Sequence, residues 1–309
     1  MTRPGGTKLL VPKTVFYTLE QTKDGKASLL NIEDFDGLYG SVKAWHTYLE
    51  CVNGLFCFWT KLKQCGIICN PSTGEVRLLP YVDVDAKAYD YSLGFEPEEK
   101  VYKGFFMKTQ HTSISDFKTY YTRIWVFTLG KDESWKEIKS IPAFNRVREG
   151  VCIDGVIYMF NCLANDIVAF NVKAESFCRT ITLWEALYGH ELDFYNLMEV
   201  KRKLSVLEGT AAYGEINFWI LGKGQHIILD FPLVHKTVFF DCWTYYDGEI
   251  IIGVGVKNKK LSFFSYDIAR KSWREFEVHG FRGNDASKFG FYKCVESLFP
   301  IRKKLQMCS

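Results

Sequence analysis

The sequence lacks the signatures of several large classes of protein. Its apolar runs stay shorter than the roughly 20 residues that a membrane-spanning helix needs, and its N-terminus lacks the apolar core of a signal peptide. A net charge of +3 is too small to indicate a nucleic-acid surface. With eight prolines and no Ser/Gly/Pro-rich tract, nothing marks an interdomain linker. These absences predict a single domain over residues 1–309, with neither a membrane nor nucleic acid as partner.

Sequence motifs of enzymes are also missing. There is no Gly-x-Ser-x-Gly elbow, no Gly-x-Gly-x-x-Gly loop and no Gly-Lys-Ser/Thr phosphate loop. His190 and Glu191 begin like a zinc-protease helix, but Phe194 stands where the second histidine ligand belongs. We therefore predict that the chain is not an enzyme, with no catalytic and no cofactor-binding residue and no cofactor.

Ten cysteines without a secretory signal favour reduced thiols, as found in the cytoplasm or the nucleus. Cys65 and Cys69 have the even spacing that places both on one face of a strand. No neighbouring His or Cys pair completes four ligands, and Cys51 or Cys57 could join them only through folding. The sequence therefore predicts no metal site.

What the sequence does contain is a repeated pattern of apolar run, turn and second run. It occurs at residues 67–76, 125–135, 167–177 and 263–273, and a related run ends at Leu221. The average interval of about 49 residues is typical of a β-propeller with one blade per repeat. We predict an all-β fold, a single β-propeller of about six blades, with five to seven allowed. An ordinary β-sandwich with chance periodicity is the alternative.

A second element keeps step with the first. Asn53-Gly54, Asp154-Gly155 and Asp247-Gly248 each precede a strand-like run, and such pairs favour tight hairpin turns. Each unit is therefore interpreted as turn, inner strand, loop, middle strand, turn and outer strand. A hairpin is expected over residues 15–30, and helix should be scarce, with residues 183–188 the best short candidate.

Aromatic residues recur at one position of the repeat. Trp135, Phe177 and Trp273 each stand six residues after a repeat anchor. Because flat side chains fill the space between stacked sheets, we expect these three to pack between blades rather than to bind a ligand.

These repeats also carry a family resemblance. Asn53-Gly54-Leu55-Phe56-Cys57, followed by Asn70-Pro71-Ser72-Thr73-Gly74, resembles the opening of the plant F-box associated β-propeller family, type 3. Further matches, in the family's order, are Gly94-Phe95-Glu96-Pro97 with Tyr102-Lys103, Ser134-Trp135-Lys136, residues 150–158, residues 200–207 and residues 218–221. Gly104 departs from the pattern, since the family usually has Val there.

The resemblance implies a function as well as a fold. It implies a protein–protein interaction module, the substrate-recognition domain of an F-box protein in a cullin-type (SCF) ubiquitin ligase. The substrate-binding residues and the identity of the protein partner stay unassigned. Family members normally carry a helical F-box ahead of the propeller, and the sequence shows no such segment, so direct binding of a Skp-type adaptor is not expected. The alternative function is a propeller-fold glycan-binding protein or enzyme with its site at the mouth of the channel.

Overall fold

The computed structural model of the chain describes fifteen segments. They are residues 16–19, 27–30, 47–60, 65–81, 90–114, 117–142, 150–161, 166–182, 195–210, 215–221, 225–230, 238–246, 248–256, 261–276 and 297–301. Within these segments the regular secondary structure consists of β-strands, with no helix. The helix expected at residues 183–188 and the residues near His190 lie outside them.

Most strands belong to five antiparallel sheets of four strands, each formed by consecutive strands of the chain. The first sheet contains β3 (Thr47–Val52), β4 (Leu55–Thr60), β5 (Cys65–Asn70) and β6 (Glu75–Leu78). The second contains β7 (Asp90–Glu96), β8 (Val101–Ile114), β9 (Phe117–Thr128) and β10 (Lys136–Pro142). The third contains β11 (Val151–Ile153), β12 (Val156–Asn161), β13 (Asp166–Asn171) and β14 (Ser176–Thr182).

The fourth sheet contains β15 (Tyr195–Val200), β16 (Lys203–Thr210), β17 (Glu215–Ile220) and β18 (Gln225–Asp230). The fifth contains β19 (Val238–Tyr246), β20 (Glu249–Val256), β21 (Leu261–Asp267) and β22 (Ser272–Phe276). Ahead of them, β1 (Phe16–Leu19) and β2 (Ala27–Leu30) form a two-stranded hairpin, within the expected range 15–30.

The first strands of the sheets lie side by side. β7 contacts β3 on one side and β11 on the other, β11 contacts β15, and β15 contacts β19. The first strand of each sheet is therefore innermost, and the sheets succeed one another around a common axis as blades. The predicted all-β propeller is confirmed, and the five complete blades of the described segments fall within the range of five to seven.

The tight turns form as expected, but between different strands. Asn53 and Gly54 have φ values of 44° and 86°, and Asp154 and Gly155 have 50° and 77°, so both central positions of each turn are left-handed, as in a type I′ turn. These turns join the first strand of a blade to its second. The interpretation of the unit as three strands was wrong, because it missed the innermost strand ahead of each turn.

Four apolar clusters fill the spaces between adjacent blades, from the first pair to the fourth. The three repeat aromatics each pack against one of these clusters and each remains partly exposed. Trp135 shows the contact most clearly, since its Nε1 donates to the carbonyl of Pro80, beyond the last strand of the first blade, at 2.7 Å. Gly104 lies directly beside that indole: a Cβ there would come within 3.1 Å of Trp135 Cη2.

Candidate protein-binding surface

One end of the propeller is built from the described turns. In an antiparallel blade, the turn between strands one and two lies at the same end as the turn between strands three and four. We call this end the turn face. It comprises residues 53–54, 71–74, 97–100, 129–135, 154–155, 172–175, 201–202 and 268–271. Turns displayed on a rigid scaffold are common recognition elements.

Ion pairs between second and third blades cross the turn face. Lys103 Nζ lies 2.5 Å from Glu175 Oε1, and Lys173 pairs with Glu98. Lys103 is the most buried of these groups, with a side chain only 11% exposed. Both pairs join a basic residue on one blade to a carboxylate on the next, so they fix the positions of neighbouring turns.

The third and fourth blades are joined in the same way, through Arg202 and Asp154. Both side chains are largely exposed, and such a pair contributes at most about 1 kcal/mol to stability. Lys201 and Arg202 both have positive φ, so this turn presents its two basic side chains in a defined, left-handed backbone conformation. The turn face thus carries interspersed charges of both signs.

Polar side chains on the innermost strands form hydrogen bonds between neighbouring blades. The carboxylate of Glu50, on the innermost strand of the first blade, accepts hydrogen bonds from Leu93 N at 2.7 Å and from Ser92 Oγ at 3.3 Å. On the other side, Phe95 N donates to Cys152 Sγ at 3.4 Å. The inner edge of the second blade is therefore tied to both neighbours, and Glu50 is 4% exposed.

Two of the described cysteines of the first blade, Cys57 and Cys69, lie on adjacent strands. Cys57 pairs across the sheet with Ile68, whereas Cys69 pairs with Phe56, so the two thiols point to opposite faces of the first blade. Burial raises the pKa of both thiols well above the usual range. Within the described segments, no group of three or more His, Cys, Asp and Glu side chains could hold a metal ion.

A chain of side-chain hydrogen bonds crosses the fourth blade, and sequence reasoning missed it. Tyr195 OH donates to Glu208 at 3.2 Å, Asn217 Nδ2 donates to the same carboxylate at 3.0 Å, and Asn217 Oδ1 lies 3.1 Å from His226 Nε2. The His226 ring stacks on Trp219 at 4.8 Å with an interplanar angle of 3°.

This series of hydrogen bonds extends from the innermost strand of the blade to the outermost, where His226 is exposed. The Asn217 amide lies between the imidazole and the Glu208 carboxylate, so the hydrogen bonds orient the His226 ring. In the sequence, only polar residues at alternate positions of a strand, such as Asn217, could have indicated these hydrogen bonds.

The fold and the motifs converge on one family. The family model described as F-box associated beta propeller domain matches residues 7–300. The chain belongs to this family. The resemblance noted in the sequence is thereby confirmed over nearly the whole chain, and the all-β propeller is the architecture that the family description names.

Curated relatives of this F-box associated propeller come from Arabidopsis thaliana. The F-box protein At3g57590 is 33% identical over 264 residues, which cover 75% of this chain and 62% of the relative. The F-box protein At1g47340 is 36% identical over 234 residues, or 70% of this chain and 47% of the relative. The putative F-box protein At3g10240 is 29% identical over 257 residues, which cover 76% of this chain and 61% of the relative. The chain thus spans about half to two-thirds of the length of these relatives.

Among the residues that the structure describes, none forms a helix that could span a lipid bilayer.

Proposed function

We propose that this chain is a non-enzymatic protein-binding module, the domain that recognises the substrate protein of an SCF-type ubiquitin ligase. The family match over residues 7–300 is the observation that supports this proposal. Relatives that extend beyond the matched region are named F-box proteins, and the substrate-recognition role is proposed for this chain by that relationship.

The physical character of the described surface fits such a role. Glu50 and Cys152, on the innermost strands, accept hydrogen bonds from the backbone of the neighbouring blade and so serve to join blades. The turn face offers fixed, interspersed charges, which give specificity and orientation to protein association. We propose that residues 1–309 form one domain acting in the cytoplasm or the nucleus, without a cofactor.

Adaptor binding belongs to a different part of such a ligase. A Skp-type adaptor is docked by the helices of an F-box, whose apolar side chains enter a groove. We propose that residues 1–309 recruit the substrate protein, and that an F-box joined to them would supply the connection to the ligase.

The test is a reconstituted ubiquitin transfer. Proteins captured on the folded chain from plant extract are supplied, one at a time, to a ligase whose F-box protein carries this propeller. The expected result is ubiquitination of a captured protein that stops when the propeller is replaced by that of another family member. If no captured protein depends on this propeller, the proposal is wrong. A specific glycan bound without any protein partner would instead support the alternative function.

A further inference from the structure

The Asn70 hairpin, which joins β5 to β6 in the first blade, holds a distant part of the chain. Residues 297–301 lie against it without forming a β-strand. Asn70 Nδ2 donates to the carbonyls of Ser297 at 2.8 Å and Phe299 at 3.0 Å. The other side of the same amide, Oδ1, accepts from Ser72 N at 3.0 Å and fixes the turn. One buried side chain therefore both shapes the hairpin and grips the segment.

The far end of the segment is held equally well. Ile301 N donates to Glu75 Oε2 at 3.0 Å, and its carbonyl accepts from Arg77 Nη1 at 3.3 Å. Burial lowers the pKa of the Arg77 guanidinium, which nevertheless stays charged at neutral pH. At this end, the backbone N–H and carbonyl of Ile301 are thus bound by a carboxylate and a guanidinium, respectively.

The first residues complete the pattern. Ser297 N donates to Ser72 Oγ at 3.2 Å, and Phe299 N donates to Ser297 Oγ at 3.4 Å. The N–H and carbonyl groups of residues 297, 299 and 301 are thus all hydrogen-bonded, five of these six groups to side chains of the hairpin. Hydrogen bonds to the backbone at alternate positions are how proteins hold an extended peptide, and pockets for alternate side chains then give specificity.

The side chains of the segment alternate as well. The Phe299 and Tyr102 rings pack in a T-shaped arrangement with their centroids 4.8 Å apart, and Ile301 is fully buried in the cluster between the first two blades. Leu298, between the gripped positions, is 86% exposed. The groove therefore recognises two apolar side chains separated by one residue and leaves the intervening positions outside.

We infer that this groove, formed by Asn70, Ser72, Glu75, Arg77 and Tyr102, is a peptide-binding site. Its ligand class is an extended segment with apolar side chains at alternate positions, and residues 297–301 are its resident, displaceable occupant. The inference does not depend on the proposed ligase role. Because the occupant is tethered, its effective concentration is in the millimolar range, and a free peptide competes poorly unless the occupant is weakened.

The experiment uses the full chain with the occupant released by Phe299→Ala and Ile301→Ala. A fluorescent peptide with the sequence of residues 295–303 is titrated against this released variant, and binding is followed by fluorescence anisotropy. Saturable binding is expected for the released variant and at least about tenfold weaker binding for the unmodified chain, whose groove is occupied. A peptide with alanine at both apolar positions is expected not to bind.

The matched control is Asn70→Asp in the released variant. Aspartate keeps the oxygen that accepts from Ser72 N, but it replaces the donor that grips the two carbonyls with an acceptor. The turn is therefore kept while the grip is lost, and the peptide affinity is expected to fall at least about tenfold. Absence of saturable binding to the folded released variant, or binding that Asn70→Asp leaves unchanged, would overturn the inference.

If the released variant does not fold, hydrogen exchange on chains with an intact segment decides. The amides of Ser297 and Ile301 are expected to be protected in the unmodified chain. In Asn70→Asp they should exchange at least about tenfold faster, while the amides of β5 keep their rates. Equal rates at Ser297 and Ile301 in both chains would contradict a groove that grips through Asn70.

Discussion

Because Trp135 packs on Gly104, we predict that the substitutions Gly104→Val and Trp135→Ala affect stability non-additively. Gly104→Val installs the residue that the family usually carries, but its Cβ would approach Trp135 Cη2 to 3.1 Å, with Leu79 Cδ1 at 3.6 Å behind it. Overpacking of this kind costs about 1–3 kcal/mol of unfolding free energy. Trp135→Ala removes a partly buried indole and its bond to Pro80, at a cost of about 2–4 kcal/mol.

The combination of both changes is expected to be less damaging than their sum. With the indole gone, a valine at position 104 has space and gains the strand preference of a β-branched residue. The coupling free energy should therefore favour the double variant by about 1–2 kcal/mol, as found for residues in direct contact. The double-mutant cycle is measured by urea unfolding of the original chain, the two single variants and the double variant. Unfolding is followed by far-ultraviolet circular dichroism, which reports on the backbone rather than on tryptophan. If Gly104→Val lowers the free energy of unfolding equally with and without Trp135, the two residues are not coupled and the described contact between them is wrong.

Three further outcomes are expected. Hydrogen bonds from Lys136 and Thr128 outweigh burial and lower the pKa of Asp132, so the carboxylate stabilises the fold above its unfolded pKa. That stability should be lost as the pH falls through the lowered value, and Asp132→Asn should flatten the acid limb of the stability profile; an unchanged limb would refute this. Burial raises the pKa of the Cys152 thiol to about 12, whereas Cys178 is exposed. An alkylating reagent at pH 8 should therefore modify Cys178 well before Cys152, as read by peptide mass mapping, and the opposite order would contradict the packing. Residues 1–309 alone should not bind a Skp-type adaptor in a pull-down, and fusing an F-box ahead of Thr2 should confer binding; micromolar binding by the unfused chain would show otherwise.

Features encoded locally could be predicted from the sequence. Asn53-Gly54 and Asp154-Gly155 specify their turns through their own backbone preferences. The period, and with it the propeller, followed from the repeated apolar runs at residues 67–76, 125–135, 167–177 and 263–273. The innermost strands were missed because their apolar pattern is interrupted by polar residues such as Glu50, which serves the neighbouring blade. Thr47, Tyr48 and Val52 favour a strand locally, and contact with β7 of the second blade adds what no local pattern shows.

Features that depend on distant partners could not be predicted. Asn70 was interpreted as part of a hairpin connector, which is correct, but its second role depends on a carbonyl 227 residues away. Gly104 looked like a departure from the family pattern until its neighbour Trp135 was known. The proposed recognition surface depends on which turns the blades bring together, and no single stretch of sequence contains that information.

The central claim, that this propeller selects a substrate protein, is tested most directly by exchanging the propeller within one reconstituted ligase. The rate of ubiquitin transfer to a captured partner is measured with this propeller and with that of another family member, the F-box, adaptor and cullin being held constant. The account predicts transfer with this propeller and a rate near background after the exchange. Equal rates with both propellers would contradict the claim, because the selection would then lie elsewhere in the ligase.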